Sequence, residues 1–197
     1  MNRVISLDDI TKKEFIAQIQ EFSKLDDNNS NWFERSNNSS IINTLDNYLH
    51  WTITLDSSDK VIAFAAIDSN RFKKHNCIRL MSRTFYHPEI RRKNIRYEYN
   101  NGTAPVIIML QKQLKYVENY KETLIMTMEK AVHRGNLKQF FKKCNRLLNH
   151  DWRLLPGMYQ TTANSWQNLG VYGDRAVTIP NMSVDEWKLR NEMHYWR

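Results

Sequence analysis

Glycine, cysteine and long apolar runs are scarce in this sequence, and each scarcity excludes a class of protein. The chain has 5 glycines and no glycine-rich phosphate loop of the Walker type. Its 2 cysteines, Cys77 and Cys144, stand far apart without CxxC spacing, which argues against a disulfide framework. The longest apolar runs, 61–67 and 105–110, are far shorter than the roughly 18 residues that a membrane span needs.

The scarcity of cysteine and the polar N-terminus also bear on location. Asp8 and Asp9 come early and no apolar h-region follows, so we expect no secretory signal peptide. Unpaired thiols fit a reducing compartment, and the sequence therefore predicts a cytoplasmic protein. The abundance of Asn, Lys and Ile is typical of an AT-rich genome and would suit a phage-like, virus-encoded protein.

A strong positive charge is the main feature of the composition. The 197 residues carry a formal net charge of +8, and the isoelectric point is about 9.5. Such a charge attracts polyanions, which include nucleic acid, the phosphates of a coenzyme and an acidic membrane surface. Hydrophobic residues make up 41% and charged residues 25%, as is ordinary for a globular protein that is not embedded in a membrane.

The hydrophobic pattern predicts a mixed α/β (α+β) chain with the element order β-α-α-β-β-β-α-β-α-β-β. Residues 51–55 alternate, which indicates a half-buried strand, whereas the continuous run 61–67 indicates a strand buried on both faces. We expect a single domain over residues 1–175, with 176–197 as a tail packed on it or extending from it. The predicted helices are 10–24, 41–49, 105–117 and 136–148, and the other predicted strands are 4–7, 77–86, 124–128, 152–160 and 165–172.

A cationic turn lies between the predicted strand 77–86 and the helix that begins at Pro105. The strand, the turn and the helix together make an anion site, because amides and the positive end of a helix attract phosphate. The turn reads His87-Pro88-Glu89-Ile90-Arg91-Arg92-Lys93-Asn94-Ile95-Arg96.

This turn resembles the acyl-CoA-binding turn of the GCN5-related N-acetyltransferase (GNAT) superfamily, which typically reads Pro-Glu-Tyr-Arg-Gly-Lys-Gly-x-Gly. Four positions match and three glycine positions are occupied by larger residues. The matches are Pro88, Glu89, Arg91 and Lys93, and the replacements are Arg92, Asn94 and Arg96. The predicted element order is similar as well, over residues 4–172. The resemblance implies a mixed, mostly antiparallel central sheet of about six to seven strands, flanked by helices.

The resemblance also implies which residues bind acetyl-CoA as the co-substrate. Main-chain groups of Phe85 and Tyr86 would pair with the pantetheine arm as an added strand does. Asn94 tolerates a positive φ, and Arg96 offers a bidentate contact to phosphate. The cradle is alternatively formed at 102–103, or the turn is merely solvated surface. The predicted coenzyme-binding residues are Phe85, Tyr86, Arg91, Arg92, Lys93, Asn94, Ile95 and Arg96.

Acetyl transfer to an amine needs a base for the amine and an acid for the leaving thiolate. Glu129 is the candidate base, with a strand-end surface carboxylate as the alternative. Phe140 and Phe141 occupy the neighbourhood where the family has a tyrosine acid, so His133 and Tyr159 are the candidate acids. The alternative for His133 is an exposed loop histidine. The 6 histidines are scattered, and we predict no metal site.

The sequence thus predicts an acyl-CoA-dependent N-acyltransferase, in the first place an acetyltransferase, with a small-molecule or protein amine as acceptor. Residues 166–168 are candidates for the acceptor pocket, with sheet packing as the alternative. A homodimer is compatible with the chain. The alternative functions are a catalytically inactive GNAT-like protein and a nucleic-acid-binding module. That module would use basic and aromatic side chains, namely Arg71, Lys73, Lys74, Arg79, Phe72, Phe85, Tyr86, Tyr97 and Tyr99.

Overall fold

The computed structural model describes residues 3–7, 14–18, 48–86, 105–129, 134–162, 165–183, 185, 186 and 189. Residues 14–18 are helical, and Lys73–His75 form a short 3₁₀ turn. The longer helices are α1 (Pro105–Tyr116) and α2 (Arg134–Leu148). The strands are β1 (Arg3–Leu7), β2 (His50–Leu55), β3 (Val61–Asp68), β4 (Cys77–Tyr86), β5 (Thr123–Glu129), β6 (Trp152–Leu154), β7 (Met158–Thr162), β8 (Ser165–Tyr172) and β9 (Asn181–Met182).

The chain divides into two compact units. The first unit comprises Met1–Asn70 and Leu80–Tyr120, and the second comprises Arg71–Arg79 and Lys121–Arg197. Strand β4 therefore contributes residues to both units. The single domain predicted over 1–175 stays a prediction.

The first unit contains strands in the order β1-β2-β3-β4. β1 and β2 are antiparallel, with Val4 opposite Thr54, and β2 and β3 are antiparallel, with Ile53 opposite Phe64. Apolar side chains on these strands and on the helical segment 14–18 form its core. The buried members of this cluster are Leu7, Phe15, Trp51, Ile53, Leu55, Val61, Phe64 and Ala66.

The second unit is built on β5 and β8, which are antiparallel, with Thr127 opposite Leu169. The start of β4 pairs in parallel with β5, with Cys77 opposite Thr123 and Arg79 opposite Ile125. β8 also pairs with β6 and β7, and β7 pairs with β9, all antiparallel. One core cluster of this unit is formed by Phe72, Cys77, Ile125, Tyr159, Leu169, Val171 and Ile179.

The observed class is the predicted one, a mixed α/β chain with a mostly antiparallel sheet and few helices. The number of strands differs from the prediction: the described residues form nine strands, whereas about six to seven were predicted. The predicted strand 152–160 is split into β6 and β7 at Gly157, whose φ of 77° turns the chain out of the extended conformation. The tail adds β9, which the sequence pattern does not indicate.

Burial confirms the prediction for β3 and corrects the one for β2. Every residue of β3 is buried. In β2 the alternating pattern predicts a half-buried strand, yet Thr52 and Thr54 are both fully buried. Their hydroxyl groups find hydrogen-bond partners inside the first unit, which removes the need for solvent on that face.

The described part of the chain has two free thiols, and it lacks both a membrane-spanning helix and a metal-binding cluster. None of its helices combines the length and the apolarity that crossing a bilayer requires. Cys77 and Cys144 are free thiols and are buried, and burial raises the pKa of each to about 11. In the described residues no three side chains of His, Cys, Asp or Glu are grouped so that they could hold a metal ion.

Candidate functional site

The end of β4 and the start of α1 flank the predicted coenzyme site, and both belong to the first unit. Phe85 and Tyr86 are the last two residues of β4, so their backbone is extended as predicted. Pro105 is the first residue of α1, a position where its missing N–H costs no intrahelical hydrogen bond. The turn residues between them, Arg91, Arg92, Lys93, Asn94, Ile95 and Arg96, lie outside the described residues.

Met81 interrupts the extended backbone of β4. Its φ of 52° lies in the left-handed region, which costs a non-glycine residue on the order of 1 kcal/mol or more. Side chains bind both of its backbone polar groups. The Met81 N–H donates to Oε1 of Gln113 at 2.8 Å, and the Met81 carbonyl accepts from Oγ1 of Thr84 at 2.6 Å.

Gln113 belongs to a chain of hydrogen bonds that is buried in the first unit. Its side chain is fully buried, and its Nε2 donates to Oγ1 of Thr52 at 3.1 Å. The Thr52 hydroxyl in turn lies 3.3 Å from the carbonyl oxygen of Ala65, to which it donates. Because Met81 offers a donor and Thr52 can accept, this network fixes which end of the Gln113 amide faces β4.

Gln113 is a polar residue on the otherwise apolar buried face of α1. Ile107, Met109 and Leu110 of α1 are fully buried with it. Met109 contributes a further polar contact, since its sulfur lies 3.3 Å from the Thr54 hydroxyl oxygen. Burial of an amide is unfavourable when its polar atoms lack hydrogen bonds, and Met81 and Thr52 provide one partner for Oε1 and one for Nε2.

The second unit brings two of the predicted catalytic residues to one row of its sheet. Glu129 of β5 is opposite Gln167 of β8, and Gln167 is opposite Tyr159 of β7. Tyr159 is buried, with 7% of its surface exposed, and it belongs to the core cluster of this unit. His133 lies outside the described residues. The catalytic roles of Glu129, His133 and Tyr159 stay predictions.

The residues predicted for the acceptor pocket lie within the same strand pair. Gln167 and Asn168 are buried, and Trp166 is partly buried. The Asn168 Nδ2 donates to the carbonyl oxygen of Met128 at 3.4 Å, so this amide spans β8 and β5. Packing within the sheet accounts for Asn168, and an acceptor-binding role for these residues stays a prediction.

Phe141 has a packing role in the second unit. Its ring stacks on Trp152, with centroids 5.2 Å apart and planes 6° from parallel. A Cβ added to Gly170 would lie 2.0 Å from the Phe141 Cζ. The ring therefore occupies the space above a glycine of β8.

The basic loop before β4 presents its cations but not its aromatic ring. Arg71, Lys73 and Lys74 are exposed, whereas Phe72 is fully buried. The idea that Phe72 stacks on nucleic-acid bases is therefore wrong, because its ring packs in the core of the second unit. Slight burial and the neighbouring Lys74 lower the pKa of His75.

Comparison with solved structures decides the fold. The chain is similar to a Staphylococcus epidermidis protein considered an acetyltransferase, with a TM-score of 0.51 and 13% identity over 90% of this chain and 99% of that chain. The chain has a GNAT-like fold. Similarity extends to a spermidine N-acetyltransferase variant from Vibrio cholerae, with a TM-score of 0.50 and 12% identity over 87% of this chain and 93% of that one. No protein-family model matches the sequence, and no curated protein matches it either.

The predicted fold, which was inferred from the turn sequence and the element order, is confirmed. A further similar structure, a proposed acetyltransferase from Acinetobacter baylyi, has a TM-score of 0.50 and 11% identity over 87% of this chain and 91% of that one. Structural similarity at such low sequence identity establishes the fold but not the chemical activity, which has to be inferred from the residues of this chain.

Sequence reasoning missed Met81, Thr84 and Gln113. A positive φ at a methionine has no sequence signal, since methionine rarely adopts it. The one available signal was a glutamine on the apolar face of α1, which indicates a buried polar partner. That partner could not be named, because Thr52 and Met81 are 61 and 32 residues away along the chain.

Proposed function

We propose that this protein is an acyl-CoA-dependent N-acyltransferase that transfers an acetyl group from acetyl-CoA to an amine. The observation that carries the proposal is the GNAT-like fold in which β4 ends at Phe85 and Tyr86, just before the cationic turn 91–96. A strand followed by a basic turn and a helix suits a diphosphate, because backbone amides and cations converge on it.

Coenzyme binding is divided between backbone and side chains in this proposal. The main-chain groups of Phe85 and Tyr86 pair with the amides of the pantetheine arm, as an added strand would. Arg91, Arg92, Lys93 and Arg96 neutralise the pyrophosphate, with Asn94 and Ile95 contributing backbone amides. Arginine is suited to this task because its guanidinium binds phosphate oxygens in pairs. Side-chain charge thus compensates for glycines that the related turn has and this one lacks.

The reaction is a nucleophilic substitution at the thioester carbonyl. The neutral amine attacks the carbonyl carbon, a C–N bond forms, the C–S bond breaks, and CoA leaves as a thiolate that takes up a proton. Glu129 serves as the base that removes the amine proton, directly or through water, and His133 or Tyr159 serves as the acid. Phenylalanine cannot donate a proton, and Phe141 is committed to packing on Gly170 and Trp152.

The acceptor is a small-molecule amine or an amine on a protein. One similar structure is a spermidine N-acetyltransferase, which makes polyamines a reasonable first test. The formal charge of +8 on this chain opposes the approach of a polycation, however, and favours amines that also carry a carboxylate. An acceptor screen should therefore include amino acids and acidic peptides beside spermidine.

The first experiment is calorimetric titration of the protein with acetyl-CoA, accompanied by a thermal shift. We expect saturable binding by the wild type and a large loss of affinity in a variant with Arg91→Ala, Arg92→Ala and Lys93→Ala. The matched control is a variant with Lys138→Ala, Lys142→Ala and Lys143→Ala, which removes the same charge from exposed positions on α2. Absence of heat and of a thermal shift at millimolar acetyl-CoA would contradict the proposal.

Two other outcomes separate the alternative functions. Saturable acetyl-CoA binding without acetylated product in mass spectrometry, across the acceptor screen, would identify an inactive protein of the same fold. Oligonucleotide binding that weakens steeply with salt, in the absence of acetyl-CoA binding, would instead identify a nucleic-acid-binding module. Exposed Arg71, Lys73 and Lys74 would then be the residues to substitute.

A further inference from the structure

We propose that Gln113 is a positioning residue for acyl-CoA. It binds the Met81 N–H and so determines the backbone direction of β4 between Met81 and the strand end at Phe85 and Tyr86. This inference rests on the proposed function, in which the β4 backbone pairs with the pantetheine arm. It concerns the affinity for the coenzyme and leaves the chemical step to other residues.

Met81 has a backbone conformation that methionine rarely adopts. Its φ of 52° breaks the regular strand, and the same peptide region is bound on both sides by side chains. Gln113 accepts from its N–H at 2.8 Å, and Thr84 donates to its carbonyl at 2.6 Å. A residue in a sparsely populated conformation persists only where its surroundings hold it, and here the holding groups can be named.

Gln113 is itself held in place at both ends of its amide. The side chain is fully buried on α1, and Thr52 binds its other end at 3.1 Å. The amide therefore has one orientation, with Oε1 toward β4. Helix α1 thereby controls the backbone of the strand that precedes the cationic turn in the sequence.

A neighbouring contact allows this role to be distinguished from ordinary stabilisation of the core. Thr54 and Met109 form a buried polar contact between the same two elements, β2 and α1, with Oγ1 and Sδ 3.3 Å apart. That contact does not involve β4. A change at Thr54 therefore perturbs the same interface without releasing Met81, which makes it a matched control.

The experiment compares Gln113→Met with Thr54→Val. Methionine keeps the length of glutamine but cannot accept strongly from the Met81 N–H. We expect Gln113→Met to weaken acetyl-CoA binding about tenfold, with the KM for the acceptor unchanged, since a neutral hydrogen bond contributes about this factor. Thr54→Val should leave acetyl-CoA affinity within about twofold of the wild type.

Nuclear magnetic resonance provides a readout that does not depend on catalysis. The Met81 amide should exchange slowly with solvent in the wild type and in Thr54→Val, and markedly faster in Gln113→Met. Thr84 is exposed, so Thr84→Val should fold normally even if Gln113→Met does not. It should also weaken acetyl-CoA binding, by a smaller factor, because it frees the Met81 carbonyl.

Each failure has a separate meaning. If the wild type does not bind acetyl-CoA, the proposed function and this role both fall. If the wild type binds but Gln113→Met and Thr84→Val bind equally well, only the positioning role is overturned. Fast exchange of the Met81 amide in the wild type would overturn it as well, whatever the affinity.

Discussion

Each of the two units packs a helix on a sheet, but the side-chain contacts between helix and sheet differ. In the first unit α1 meets β2 through polar side chains, with hydrogen bonds from Gln113 to Thr52 and from Thr54 to Met109. In the second unit α2 meets β6 and β8 through aromatic packing, with Phe141 between Trp152 and Gly170, and the side-chain amide of Asn145 is hydrogen-bonded to the backbone of Trp152, both bonds being 2.9 Å long. Both interfaces therefore contain hydrogen bonds, but in the second a stacked aromatic ring also fills the space above a glycine.

The difference predicts how each interface tolerates change. Loss of one hydrogen bond leaves the remaining bonds of the network in place, so its cost is limited to the groups left unpaired. A side chain that enters a filled space displaces its neighbours, because protein interiors are packed at crystal-like density. An atom added at Gly170 should therefore destabilise the protein more than the loss of one hydrogen bond between α1 and β2.

The largest effect is expected for Gly170→Ala. The added Cβ would lie 2.0 Å from Cζ and 2.1 Å from Cε2 of Phe141, a ring that is itself buried and stacked on Trp152. We expect a loss of about 3 kcal/mol in the free energy of unfolding, measured by urea titration.

A second substitution tests whether shape is the cause. Phe141→Leu should destabilise the protein by itself, but in the double variant with Gly170→Ala the two losses should not add, because the smaller side chain frees the space. Additive losses would show that Gly170 matters for a reason other than the Phe141 ring.

A smaller effect is expected when the polar interface is broken at Thr52. Thr52→Val keeps the shape of the side chain but leaves Nε2 of the buried Gln113 without its acceptor. We expect a loss of about 1–2 kcal/mol by urea titration, and Thr52→Ser should retain most of the stability because it keeps the hydroxyl. A Thr52→Val variant as stable as the wild type would show that the network adds little to the fold.

The smallest effect concerns the edge of the same polar interface, where His50 of β2 stacks on Tyr116 of α1. The ring centroids are 3.9 Å apart and the planes differ by 10°. The His50 Nε2 is buried without a hydrogen-bond partner among the described residues, and burial lowers the pKa of this imidazole. The unfolded chain therefore binds a proton at His50 more readily than the folded chain does. The free energy of unfolding should not depend on this group above about pH 6.5, and it should decrease as the pH falls below that value.

His50→Phe should remove part of this decline, because it preserves the stacking and cannot be protonated. Thermal unfolding at pH 7.5 and pH 5 provides the measurement. His150 of the second unit, packed edge-on against Tyr172, also has a pKa lowered by burial and accounts for part of the decline. An unchanged pH dependence in His50→Phe would assign the effect to other groups.

The sequence predicted those parts of the fold whose signal is local. The apolar run of β3 and the strand that ends at Phe85 and Tyr86 follow from residue pattern alone. The burial of Thr52 and Thr54 does not, because it depends on Gln113 and Met109 of α1, which are more than fifty residues away along the chain. Gly157 likewise gave no sign that one predicted strand would become two.

The roles of the candidate site residues stay predictions, and only part of the geometry around them could be predicted from the sequence. The cationic turn and the position of Glu129 at the end of a strand are readable from residue types. The left-handed Met81 is not, since its conformation is imposed by Gln113 and Thr84 and contradicts its own preference.

The two buried thiols have a practical consequence. Cys77 and Cys144 both belong to the second unit, and each has a pKa near 11, so almost none of either is thiolate at neutral pH. An alkylating reagent can modify them only when that unit opens. Pulsed labelling with mass detection would thus time the opening of one half of the chain, with no engineered probe.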